Sequence, residues 1–194
     1  MHSIARSTRA ITLLAAAVLG WRFGWAVADA SVSIRPQFLV HGASPEQVQM
    51  ARWAAGRFEI AKLRVPEVEI HFHDDLSDCD GHLGYAVDGR VDLCTSRVDA
   101  PTRRALLHEL GHVWLDENLA PLVQAAFLRL RDLSAWNSSS DPWNLRGFEH
   151  GAEVMAWALG ERILTPSIPD NEPEKLGLAF RFLTGGELPD APDP

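Results

Sequence analysis

Nine residues, Leu106 to Trp114 (LLHELGHVW), constrain what this chain can fold into more tightly than any other stretch. His108, Glu109 and His112 spell H-E-x-x-H. Residues four apart share one face of a helix, so both imidazoles can reach a single metal ion with Glu109 beside them. The pattern demands a helix, and its neighbours supply one. Leu106, Leu107, Leu110, Val113 and Trp114 form a core-facing stripe, and Asp99 or Ala100, followed by Pro101, offers a start.

At 194 residues the chain has room for one domain with short extensions. A hydrophobic content of 46% and seven Trp are enough for a core. The formal charge of -8 argues against a nucleic-acid partner, which would need a basic face. Residues 1–30 are of a different kind. Arg6 and Arg9 precede an apolar run, Ile11 to Trp21, long enough for the hydrophobic part of a signal peptide and too short to span a bilayer comfortably. Small residues at Ala26 and Ala28, and again at Ala28 and Ala30, offer two cleavage positions. Residues 1–30 are therefore read as a signal peptide, with an uncleaved N-terminal anchor as the alternative. Cleavage would remove Arg6, Arg9, Arg22 and one acid, Asp29, taking the charge from -8 to -10. The expected location is secreted or extracytoplasmic, with stable membrane association only if the N-terminus is retained. Residues 31–186 are expected to form the single domain. Residues 187–194 (ELPDAPDP) lack periodicity and read as a flexible tail.

Two cysteines accord with export. Cys79 and Cys94 flank a stretch with Gly81, Gly84 and the turn-forming pair Asp88-Gly89, so a hairpin can bring the sulfurs together as a disulfide. A second metal site built from Cys79, Cys94 and His82 is the competing reading. It lacks a C-x-x-C pair and a fourth ligand at metal spacing.

Periodicity supplies the remaining elements. Ser44-Pro45-Glu46 opens a helix that should end near Arg64, ahead of Pro66. Val68 to Phe72 alternates as a half-exposed strand, on which His71 and His73 read as exposed residues rather than ligands. Short strands over 83–87 and 90–94 form the hairpin. Pro121 separates the H-E-x-x-H helix from another over 122–133, with Leu122, Ala126, Leu130 and Leu133 on one side. A polar loop, Ser134 to Gly147, leads into a helix over Phe148 to Ile163, and a last helix runs from Pro173 to Leu183 with Gly185 as its cap.

Two histidines do not complete a catalytic zinc site, which takes three protein ligands and one open position. One extension places Gly and His three and six residues after the second histidine. Here those positions hold Leu115 and Asn118, which excludes the metzincin branch. The other solution takes a carboxylate from a later helix. Gly147 to Leu159 (GFEHGAEVMAWAL) offers Glu149 and Glu153 one turn apart, so that one can ligate while the other accepts the free N–H of a ligating histidine. Asp116, one turn past His112, is a weaker rival.

At this point the chain resembles the gluzincin branch of zinc peptidases, whose glutamate helix carries E-x-x-x-D. The resemblance spans roughly Cys79 to Leu164, and the overall size is similar to that of a minigluzincin. The segment Trp143 to Gly147 (W-x-x-R-G) also resembles exported actinobacterial zinc peptidases. The resemblance implies an α+β, zincin-like domain in which a small antiparallel or mixed sheet packs on the H-E-x-x-H helix and the following glutamate helix. It implies one zinc ion held by His108, His112 and Glu149, with Glu153 orienting a histidine or replacing Glu149 as ligand. The departure is Glu in place of Asp at 153. It further implies that the strand before the H-E-x-x-H helix forms the rim along which an extended peptide can lie.

The implied activity is hydrolysis of a peptide or protein substrate, with Glu109 as general base toward a water in the open position. Members of this branch commonly use a downstream His or Tyr to steady the oxyanion, and neither occurs after His150. The candidates for that role are His150, Arg146, Arg162, Tyr85 and His82. The gap keeps a second reading open: a catalytically degenerate, zinc-stabilised binding domain, exported or membrane-tethered.

Overall fold

The computed structural model describes residues 32–34 and 38–192. The expected signal peptide or anchor, residues 1–30, lies outside them. Strands β1 (Val32–Ile34), β2 (Phe38–His41), β3 (Val68–His73), β4 (Gly84–Val87) and β5 (Arg90–Cys94) make one mixed sheet in the order β1-β2-β3-β5-β4. The β1/β2 and β4/β5 pairs are antiparallel, whereas β2/β3 and β3/β5 are parallel. Among the described residues five helices accompany it: α1 (Pro45–Ile60), α2 (Ala100–Asn118), α3 (Pro121–Leu130), α4 (Gly147–Leu159) and α5 (Pro173–Thr184). The result is the expected α+β mixture.

Local chemistry accounts for the element boundaries. Ser44 caps α1 by accepting from the Gln47 backbone N–H, and the Gln47 side chain accepts from the Ser44 N–H, satisfying two donors that the first turn leaves free. Asp99 caps α2 through Thr102, and Gly185 ends α5 in the left-handed region at φ 66°. Asp88 and Gly89 both have positive φ, 48° and 76°, which suits the two-residue turn joining β4 to β5. A 3-10 turn, Leu76–Cys79, precedes that hairpin, and a disulfide ties Cys79 to Cys94 with their Cα atoms 6.0 Å apart. Both sulfurs are thereby consumed, so the alternative metal site on Cys79, Cys94 and His82 does not form.

The expected α2 stripe is buried in full: Leu106, Leu107 and Leu110 have no exposure, and Val113 and Trp114 have 6% each. Phe38, Val40, Val68, Ile70, Val91 and Leu93 bring the inner face of the sheet into the same core. The antiparallel-like crossing of α2 and α4 is close because residue 111 is glycine. A Cβ there would stand 3.2 Å from Met155 Cβ and 3.3 Å from Ala152 Cα.

Several local expectations change. Helix α3 buries Phe127 instead of the Leu122 face, and Leu122 is 86% exposed. Helix α4 stops at Leu159, four residues before Ile163, with Gly160 at its cap. His71 and His73 are partly buried on β3. Strand β5 leads into α2 as read, but it lies between β3 and β4 with both edges paired and so has no free edge for an added strand; β4 is an edge strand. Beyond α5, Leu188 packs against the core, and the carbonyls of Pro189 and Asp190 accept from Arg162 and Arg57. Among the described residues no helix is long and apolar enough to cross a membrane.

Candidate metal centre

Helix α2 presents His108 and His112 from one face, and α4 crosses it so that Glu149, in its first turn, faces both. The two Nε2 atoms are 3.0 Å apart, and Glu149 Oε2 lies 3.3 Å from His108 Nε2 and 3.2 Å from His112 Nε2. All three side chains are largely withdrawn from solvent. The three atoms face one another at hydrogen-bond distances, so protons on the rings can bridge them, and a metal ion among them would take the place of those protons. The spacing fits a metal ion: ligands 2.0–2.1 Å from a tetrahedral centre stand about 3.3 Å from one another. Glu149 Oε2 is shielded from solvent, and its neighbours in the group are the two ring nitrogens, so a cation there would complete its surroundings. These residues can therefore hold a metal ion.

The supporting groups sit behind them. Glu153 Oε1 is 3.2 Å from His108 Nδ1, the ring nitrogen turned away from the cluster, while its other oxygen is paired with Arg104. Glu149 thus closes the group and Glu153 backs a histidine. Phe148 packs at a tilt against His112 with centroids 4.1 Å apart, and Trp143 lies over the His108 ring at 6.0 Å. Asp116 is not in the group; it borders a separate surface depression with Val113 and Glu117.

Electrostatics follow from burial among charges. Burial opposes protonation of His108, yet Glu149 and Glu153 outweigh it and raise the imidazole to about 9. Burial also opposes ionisation of Glu149, but the two imidazoles beside it hold its carboxyl at about 2. His112 is lowered, chiefly by burial. Glu109 is raised to about 7, again chiefly by burial, and takes no part in the three-atom group.

Beside this group a cleft of about 560 Å³ is lined by His108, Glu109 and Glu153, by Arg104 and Ala105 of α2, by His82, Leu83 and Gly84 at the start of β4, and by Trp143 and Leu164. Its size falls in the range of small-molecule and peptide side-chain pockets. The edge strand approaches closely: a Cβ on Gly84 would lie 3.2 Å from Glu109 Cγ.

The five oxyanion candidates separate on position. His150 has no exposure; its Nε2 is 2.7 Å from the Asn144 carbonyl and its Nδ1 accepts from Arg131, so it fastens the 134–147 loop to α4. Arg146 Nε donates to the Asp141 carbonyl, and Arg162 donates to the carbonyls of Ala158 and Pro189. Tyr85 does not line the cleft, leaving His82 as the one of the five that does. Sequence reasoning missed Arg104, although its place four residues before His108 puts it on the same helical face. Comparison with family models, curated proteins and solved structures gave no match.

Proposed function

We propose that this chain is an extracytoplasmic zinc-dependent hydrolase of the gluzincin kind, acting on peptide bonds. The observation that carries the reading is the convergence of His108 Nε2, His112 Nε2 and Glu149 Oε2 at 3.0–3.3 Å, with Glu109 left outside the group on the wall of an open cleft. Two imidazoles, with His108 giving up its proton on binding, and one carboxylate are a donor set that would suit zinc. Zinc bound there supplies Lewis acidity and lowers the pKa of a water to about 7. Glu109 is poised to accept a proton at its carboxylate and return it to the leaving amine. Glu153 holds the outer nitrogen of His108, and Arg104 keeps Glu153 in place. An extended substrate can pair with the free edge of β4, which borders the cleft at Gly84, and His82 is the donor assigned to the developing oxyanion. The disulfide accords with an oxidising compartment.

The test combines metal analysis with turnover. Zinc should occupy this centre and be lost in Glu149→Ala. Glu109→Gln should keep the metal while cleavage of a peptide library falls by about 10²–10⁴-fold. A zinc-loaded wild-type protein that cleaves no member of the library would leave the binding-domain reading in its place.

A further inference from the structure

On the opposite face of the sheet, the parallel β2/β3 register sets His41 beside His71, and Glu69 lies two residues before His71 on the same face. The two imidazoles stack with centroids 4.3 Å apart and planes 12° from parallel. Glu69 Oε2 is 3.1 Å from His71 Nε2 and 3.9 Å from His41 Nε2. His41 Nε2 is shielded from solvent and makes no hydrogen bond. One ligand atom from each residue falls within 4.8 Å of the other two.

We propose that His41, His71 and Glu69 form a second metal site, on the outer face of the sheet, for a late first-row divalent cation such as zinc or copper(II). Two ring nitrogens and one carboxylate oxygen are the donors such cations prefer. Ligand atoms 2.0–2.1 Å from one ion can stand at most about 4.2 Å apart, so the 3.9 Å separation is within reach, and because each lone pair lies in its ring plane, binding requires the stacked imidazoles to rotate out of their near-parallel arrangement. A bound cation also gives the shielded His41 nitrogen the partner it lacks. His73, the next histidine on this face, is committed elsewhere: its Nε2 is 2.6 Å from Asp92 Oδ1, and Arg90 grips the same carboxylate. The site is partly open, with Glu69 55% exposed, so it should bind more weakly than the buried group on α2 and α4.

The inference is independent of the hydrolase reading, and the experiment keeps the two apart by working in the Glu149→Ala background. The full chain carrying that substitution is stripped with chelator and titrated with Zn²⁺ alone, with stoichiometry read by native mass spectrometry. Cu²⁺ loading is followed by electron paramagnetic resonance. The expected result is one bound ion and a copper spectrum split by two imidazole nitrogens. Adding His71→Phe, which keeps a ring to stack on His41 while removing the ligand atom, should weaken binding at least tenfold and remove one nitrogen from the spectrum. His41→Phe should act alike. Unchanged affinity and spectrum in both folded double variants, or no ion bound in the Glu149→Ala protein, would overturn the proposal.

Discussion

Each of the four acidic and basic side chains around the α2 cluster has a different neighbour, and that difference sets its role. Glu149 faces two ring nitrogens, Glu153 faces the outer nitrogen of one ring, Glu109 faces the cleft, and Arg104 neutralises Glu153. Removing Glu153 should therefore leave the three candidate ligands in place but free the His108 ring and leave the Arg104 charge without this partner. Glu153→Ala is expected to weaken zinc affinity by about 10–100-fold while the protein remains folded, against near-complete loss in Glu149→Ala. Competition with a chromophoric chelator measures both, and equal effects of the two substitutions would contradict the division of roles. The candidate ligands were legible from i, i+4 spacing because a helix turns residue number into direction. The choice between Glu149 and Glu153 was not, because both lie on the same face of α4 and only the crossing with α2 decides which one reaches the ring nitrogens.

Among the elements, α2 holds the site and is secured at two points. At its start, burial would raise the Asp99 carboxyl, but hydrogen bonds from the Thr102 N–H, Arg97 and the Thr102 hydroxyl prevail and hold it at about 2, below its ordinary 3.8. A carboxyl whose pKa is lower in the folded state adds stability that is present above pH ~4 and fades as the pH falls toward 2. Asp99→Ala should cost about 1 kcal/mol at neutral pH, and the gap to wild type in urea midpoints should close over that acidic window. Midway along the helix, Gly111 admits the backbone of α4. Gly111→Val should cost about 1–3 kcal/mol through overpacking and, by pushing α4 outward, separate Glu149 from the histidines. Thermal unfolding and zinc affinity should fall together; a stable variant with normal affinity would show that the crossing is less tightly set. Start signals such as Ser44-Pro45 and Asp99 were readable because caps act within three residues. The buried face of α3 was misread because a short apolar helix has hydrophobic residues on several sides, and the packing partner selects among them.

For the molecule as a whole, the disulfide closes the segment between the 3-10 turn and β5, the part of the chain that delivers β4 to the cleft. With the cysteines 15 positions apart, its reduction should lower unfolding stability by about 3 kcal/mol in the chain-entropy model, read as a shift in denaturant midpoint with and without reductant. A shift near zero would mean that sheet pairing alone holds the hairpin. Long-range order also places residues 187–190, where Arg57 and Arg162, far away in sequence, donate to the backbone carbonyls of Asp190 and Pro189. By itself the sequence determined what acts over a few residues: the helix bearing H-E-x-x-H, the capped starts, the Asp88-Gly89 hairpin with its cysteine pair, and two glutamates one turn apart. Those features follow from the helical and strand periods and from side chains that reach their own backbone. Tertiary structure alone decided that β4 and not β5 is the free edge, that Glu149 meets both rings, that His150 is locked into the interior, and that His41 stacks on His71. Each depends on strand order, register or helix crossing, which arise from burial of the whole core and have no signature within any one segment.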